Sequence, residues 1–169
     1  MADPVNPYTS QQIQAALVAL LEANLVDPYE QKTGNTRSNF VAGDDFKLTS
    51  LIVTPLINID VDEEQSVKVT AQKTNYMEQE RHDFIIYYYC DKDKTFTFPT
   101  GAGYSANALK GKQQAREFML YIRRTIKANL GSMTYAHRVN FGAIPEPKFN
   151  PKTGYFVGIM PMSVTTYRR

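Results

Sequence analysis

The chain has a single cysteine, Cys90, which excludes an internal disulfide and any multi-cysteine zinc site. The fold must hold without covalent staples, which fits a reducing compartment. Long apolar runs are also missing. AALVALL at 15–21 is far short of the about 20 residues of a membrane span. The opening MADPVNPYTS has neither the basic start nor the apolar core of a secretory signal. These features read as a soluble product made in the cytoplasm, with no membrane partner. Signature motifs of chemistry are scarce too. No G-x-S-x-G, H-E-x-x-H or C-x-x-C occurs, and no internal repeat or low-complexity tract is visible.

What is present is ordinary for a globular domain. The 169 residues, 43% apolar and 21% charged, are one domain by length and enough to bury a core. Thr9-Ser10-Gln11-Gln12 reads as a capping box opening a helix. Ile13, Ala16, Leu17, Leu20 and Leu21 then form one apolar face that ends near Ala23-Asn24. Residues 26–50 have no sustained period and carry turn chemistry at Asp27-Pro28, Gly34-Asn35 and Gly43-Asp44. They read as a long loop or arm, with Phe40, Val41 and Phe46 able to dock.

A short apolar run, Leu51-Ile52-Val53, is ended by Pro55. Ile57, Ile59 and Val61 then alternate with Asn58, Asp60 and Asp62, which predicts a half-buried strand. Asp62-Glu63-Glu64 reads as a turn into a second strand at 67–71. Residues 72–81 are polar, a hairpin continuation or loop. Phe84 to Cys90 is apolar or aromatic throughout and reads as a central strand. Thr95–Phe98 has the makings of a strand, and Pro99 with Gly101-Ala102-Gly103 marks a loop. A second helix runs to about Leu130, weakened at its start by Gly111. Its core stripe is Ala115, Phe118, Met119, Ile122 and Ile126, with Gly131 as its C′ residue. Residues 132–154 read as another long connection, and the chain ends in a strand where Pro161 favours an edge or bulge. The sum is a single α+β domain over 1–169: a mainly antiparallel sheet with two amphipathic helices packed on one face, and long loops.

Candidate chemistry is weak at each place it can be sought. In RHDFIIYYYCDKD (81–93), His82 and Cys90 share a face of an extended strand but lie about 26 Å apart at about 3.3 Å per residue. They cannot share a metal or a proton, and the segment reads as a buried strand with solvated polar ends. His137, the other histidine, has no motif around it. Asp60, Asp62, Glu63 and Glu64 lack the Asp-x-Asp-x-Asp-Gly loop and read as a solvated strand end, not a cation site. Gly101-Ala102-Gly103 lacks the further glycines of a phosphate cradle. The reading is therefore not an enzyme, with no catalytic residue, cofactor or metal assigned. An enzyme built across loops, with His82 or His137 as base, is the rival that sequence leaves open.

The near-neutral total of +2 hides an asymmetry. Residues 1–80 carry 12 acids and 5 bases, and residues 81–169 carry 5 acids and 14 bases. At 100° per residue, Lys112, Arg116, Arg123 and Lys127 fall within about 60° on the second helix, with Arg124 to one side. Three readings are open: pairing within the fold and an ordinary solvated face, a heterologous contact between subunits, or a nucleic-acid surface over 112–127. In the second, Lys112, Arg116, Arg123, Arg124 and Lys127 of one subunit meet Asp60, Asp62, Glu63 and Glu64 of the next.

The element order resembles one family. A helix (TSQQIQAALVALLEANL) leads through a long loop to a proline-marked strand (TPLINIDVDEE) and an aromatic strand (HDFIIYYYC). A basic helix (KQQAREFMLYIRRTIKANL) and a terminal strand (YFVGIMPMSVTTYRR) follow. This layout resembles the tail terminator, or tail-completion, proteins of long-tailed bacteriophages and the related neck proteins. The resemblance covers most of the chain and lies in order and texture, not in a motif. It implies a structural virion protein at the tail–neck junction, assembled in the host cytoplasm, whose hexameric ring caps the tail tube. The implied partners are the tail tube protein, the neck or connector protein and, in contractile tails, the sheath. Nucleic acid enters only by passage through the ring lumen. A head–tail connector or neck protein is the alternative.

Overall fold

The computed structural model describes residues 9–25, 40–43, 55–70, 76–97, 108–132 and 138–168; for 63–70, 76–79, 96, 97, 108, 132, 167 and 168 the description is of backbone alone. In chain order the elements are α1 (Ser10–Asn24), β1 (Val41–Ala42), β2 (Leu56–Thr70), β3 (Tyr76–Asp91), β4 (Thr95–Thr97) and β5 (Ala108–Lys110). Then come α2 (Gly111–Ala128), β6 (Arg138–Phe141), β7 (Lys148–Asn150) and β8 (Tyr155–Arg168). One mixed, mostly antiparallel sheet has the order β1-β2-β3-β8-β6, with β7 also on β8, and only β1–β2 is parallel. β4 and β5 form a separate two-stranded ribbon. This is the α+β class expected. No helix among the described residues is long and apolar enough to cross a membrane.

Helix α1 starts where its capping box places it. Thr9 Oγ1 accepts from Gln12 N at 3.2 Å, and Gln12 Oε1 accepts from Thr9 N at 3.0 Å. Ile13, Leu17, Leu20 and Leu21 are buried on the predicted face. In α2 the predicted stripe Ala115, Phe118, Met119, Ile122 and Ile126 is wholly buried. Both helices lie on one face of the sheet, over Ile57, Ile59, Phe84, Ile86, Tyr88, Met160, Met162 and Val164. Phe118 is the hub: its ring stacks on Tyr88 at 4.2 Å and meets Phe40 and Tyr121 edge-on at 6.3 and 5.6 Å. Phe40 and Val41 dock into the chain's own core. Phe46, residues 26–39, Leu51-Ile52-Val53, Pro99, Gly101-Ala102-Gly103 and His137 lie outside the described residues.

Several boundaries differ from the sequence reading. Asp62-Glu63-Glu64 is not a turn. β2 runs through it, and the register steps from Val61↔Phe84 to Glu63↔Asp83, so Asp62 is the extra residue of a bulge. Pairing continues to Thr70↔Tyr76, which makes the polar stretch after 75 part of β3. An outlying ladder keeps its backbone hydrogen bonds without an apolar period to announce it. Residues 132–154 are not one connection but hold β6 and β7, both paired to β8. α2 ends at Ala128 with Asn129 as C-cap, and Leu130–Ser132 is a single 3-10 turn, so Gly131 is not its C′ residue. Gly111, at the head of α2, has φ +60°, the left-handed region that glycine enters without a Cβ clash.

β8 is an internal strand, and Pro161 explains how. Its carbonyl accepts from Gly142 N at 2.8 Å, on the side away from β3. The N–H and C=O of a strand residue point to the same side, so the donor that proline lacks is also absent there and not from the β3 ladder. Pro161 sits where β6 has ended and β7 has not begun. The edge of β2 is handled by a side chain. Beyond β1, the Ile59 carbonyl accepts from Gln14 Nε2 of α1 at 2.6 Å.

Candidate interaction surfaces

Of the segment 81–93, residues 81–91 belong to strand β3, with their even positions turned to the helices. His82 and Cys90 share that face, at opposite ends, and both are fully buried. The expectation of solvated polar ends fails at His82, while Arg81, Lys92 and Asp93 are exposed and Cys90 is buried with the strand. Continuing the parity of Phe84, Ile86 and Tyr88 places His82 and Cys90 inside. His82 Nδ1 lies 2.7 Å from Ser10 Oγ, and its Nε2 lies 3.8 Å from Glu80 Oε2. These are the group types of a hydrolytic triad, but Ser10 is 5% exposed and His82 0%, beneath the first turn of α1. In this conformation no substrate carbonyl reaches the serine, and the bond fastens α1 to β3. Burial, reinforced by the Asp91 charge, pushes the Cys90 thiol up to about 12, against a small opposing effect of a backbone hydrogen bond. Its Sγ donates toward the Gly111 carbonyl at 3.4 Å. It is a packing residue and not a nucleophile. Among the described residues no group of three or more His, Cys, Asp or Glu is arranged to hold a metal ion.

The opposite, outer face of the sheet carries the acidic residues. Asp60 accepts from Asn58 Nδ2 at 2.6 Å, and the bulge turns Asp62 outward beside Arg81 and Asp83. Arg81 grips Asp83 through two bonds of 2.9 Å. With Asn140, Pro161 and Ser163 these residues line an open cleft of about 340 Å³. Along the same face Tyr87 and Tyr89 stack at 6.1 Å. Burial and then the charges of Asp60 and Asp62 raise the Tyr87 hydroxyl; burial, Tyr87 and Asp60 push Tyr89 to about 12. Both phenols stay protonated near neutral pH. Glu63 and Glu64 continue β2 past the bulge, where backbone alone is described.

The basic row lies on the other side of the molecule, along α2. Lys112 and Arg116 both reach Glu146, Arg116 at 3.7 Å. Lys127 Nζ stands 5.5 Å from the centroid of the Phe141 ring, within the range of a cation–π contact. Residues 141–146 therefore run alongside the row, and three of its cations engage the chain's own side chains. Arg124 is exposed and Arg123 half-buried. Lys112 holds the Glu146 carboxyl below the ordinary range, by hydrogen bond and by charge, with Arg116 adding less. Helical spacing located the row, but Glu146 and Phe141 are distant in sequence and gave no signal.

No protein-family model matches the chain, and no curated protein matches it. The functional reading therefore rests on these surfaces and on the resemblance in element order. Acidic Asp60 and Asp62 and the basic row occupy opposite faces of one sheet. Within a single subunit they cannot reach each other.

Proposed function

We propose that the chain is a structural virion protein, a tail terminator whose ring caps the tail tube and joins tail to neck. The observation that carries this reading is the segregation of charge. Asp60 and Asp62 sit on the outer face of the sheet, while Arg123, Arg124 and the rest of the row sit on α2 across the core. A heterologous contact, in which one patch of each copy meets a different patch of the next, would bring the two patches together. Such contacts close into rings when the rotation permits. Six subunits follow from the resemblance, as do the tube, neck and sheath as partners and the virion as location.

A charge swap tests this reading. The double variant Arg123→Glu/Arg124→Glu should lose assembly in size-exclusion light scattering while keeping its circular dichroism. Adding Asp60→Lys/Asp62→Lys to the same chain should restore assembly. Assembly unaffected by the first pair removes α2 from the interface, and failure of the second pair to rescue removes β2.

A further inference from the structure

The outer face of the sheet carries more than its acids. Odd positions of β3 and β8 point there, because the even ones are buried under the helices. The register pairs Ile85 with Pro161, Tyr87 with Ile159 and Tyr89 with Val157, so these residues form one uncharged strip across two adjacent strands. Pro161 is exposed and the others are half-buried. Among the described residues no helix lies over the strip, since α1 and α2 both pack on the opposite face. Along the β2 side the margin is acidic. Asp60 is paired to Ile85, and Asp62 and Asp83 line the cleft that Pro161 also lines. The charges of Asp60 and Asp62 act on the Tyr87 hydroxyl, which puts both near its ring. Arg81 is engaged with Asp83, and Lys148 and Arg138 stand on the far margin, on β7 and β6.

The solvent side of α2 has the converse pattern. Leu120 lies about 145° from the centre of the buried stripe at 100° per residue, and it is half-buried, outside the helix's buried set. Arg116, Arg123 and Arg124 are its i−4, i+3 and i+4 neighbours, so cations surround one apolar side chain.

Each surface supplies what the other lacks. Specific interfaces set an apolar centre inside a polar rim, and tyrosine and arginine are enriched among the residues that dominate binding. We propose that Leu120 of one copy seats on the strip of the next at Tyr87 and Ile159, with Arg123 and Arg124 reaching Asp60 and Asp62. A guanidinium beside the Tyr87 ring is favoured by the ring's own electrostatics as well as by the carboxylates. The occupant is a second copy because the complement in both shape class and charge lies on this same chain, on the opposite side of the core. The inference rests on the head-to-tail reading above and adds the apolar centre of that contact. Exposed ion pairs alone contribute little and are screened by salt, so a stable ring needs such a centre.

Thiol cross-linking and assembly affinity test it together. Native Cys90 is buried, so an added surface cysteine is the reactive one. Chains carrying Leu120→Cys, mixed with chains carrying Ile159→Cys and treated with a short bismaleimide, should give a dimer joined through positions 120 and 159, identified by mass spectrometry of the linked peptides. In light scattering over a dilution series, Tyr87→Ala should raise the dissociation constant of the assembly by about 30-fold or more, the loss of a hot spot. Leu120→Ala should raise it by less, and Lys152→Ala, in the exposed β7–β8 turn, should leave it unchanged. Circular dichroism checks that each variant is folded. An unchanged dissociation constant in Tyr87→Ala, or assembly without the product linking 120 to 159, overturns this contact and leaves the ring reading standing. A product linking two copies of position 159 in Ile159→Cys alone overturns it in favour of a two-fold, sheet-to-sheet dimer. A strict monomer at every concentration overturns both this contact and the ring.

Discussion

Gly158 offers a test in which two physical effects have opposite signs. It lies in β8 directly under α2, paired to Tyr88 of β3. Intrinsic backbone preference says that Gly158→Ala should stabilise, since glycine inside a strand costs about 0.5–1 kcal/mol relative to alanine. Packing says the reverse. The new Cβ would stand 2.7 Å from Met119 Cγ and 3.1 Å from its Sδ, with the Ala115 carbonyl oxygen at 3.4 Å. Met119 is fully buried, so its Cγ has no open space to retreat into. Overpacking of this kind costs about 1–3 kcal/mol. The net is a loss of about 1–2 kcal/mol, which lowers Tm by about 2–8 °C in a chain of this size. Urea and thermal unfolding followed by far-UV circular dichroism measure it. The double-mutant cycle isolates the cause: on a Met119→Ala background, itself destabilised by about 2–5 kcal/mol, Gly158→Ala should be neutral or stabilising. A stabilising Gly158→Ala in the native background would refute the packing of α2 on β8 described above.

Three further outcomes are expected. Cys90, with its thiol pushed up to about 12 by burial, should not react with a disulfide reagent at pH 8 in the folded protein and should react fully in denaturant; prompt native reaction would place it at the surface. The same raised value means that stability falls once pH rises past the unfolded thiol's own pKa, because only the unfolded chain ionises there. His82→Leu strands the buried Ser10 hydroxyl and should cost about 1–3 kcal/mol in urea unfolding, much of it recovered in Ser10→Ala/His82→Leu, since removing both partners leaves no orphan. The Glu146 carboxyl is held low by Lys112, so its clamp is complete above the unfolded carboxyl's pKa and is lost as pH falls through the lower folded value. The Lys112 side-chain resonances should move toward their unpaired values across that fall in an NMR titration, and Glu146→Gln should show the same change at neutral pH.

The parts of the fold legible in the sequence were those with a buried face. The capping box at Thr9, the α2 stripe and the FIIYYYC strand each announced themselves because burial imposes a period on apolar residues. The passage of β2 through Asp62-Glu63-Glu64 and the outlying half of β3 did not, because polar residues such as Glu63 and Gln79 can hold a ladder without such a period; the outer part of β2 was legible only as a separate strand at 67–71. β6 and β7 were hidden by length, at four and three residues among prolines. The candidate surfaces divide the same way. Helical spacing brought the α2 cations onto one face, whereas the outer apolar strip is assembled from β3 and β8, which only the fold brings together. At His82 strand parity outweighs the polar residue type, and the ring is buried with Phe84 and Ile86.

The central claim is that copies of this chain meet head to tail and close into a ring. Negative-stain imaging of the purified protein, paired with light scattering over a range of concentrations, tests it most directly. The account predicts closed rings with a central opening, six-fold if the resemblance in element order holds. A strict monomer at every concentration, with no rings on the grid, would contradict it.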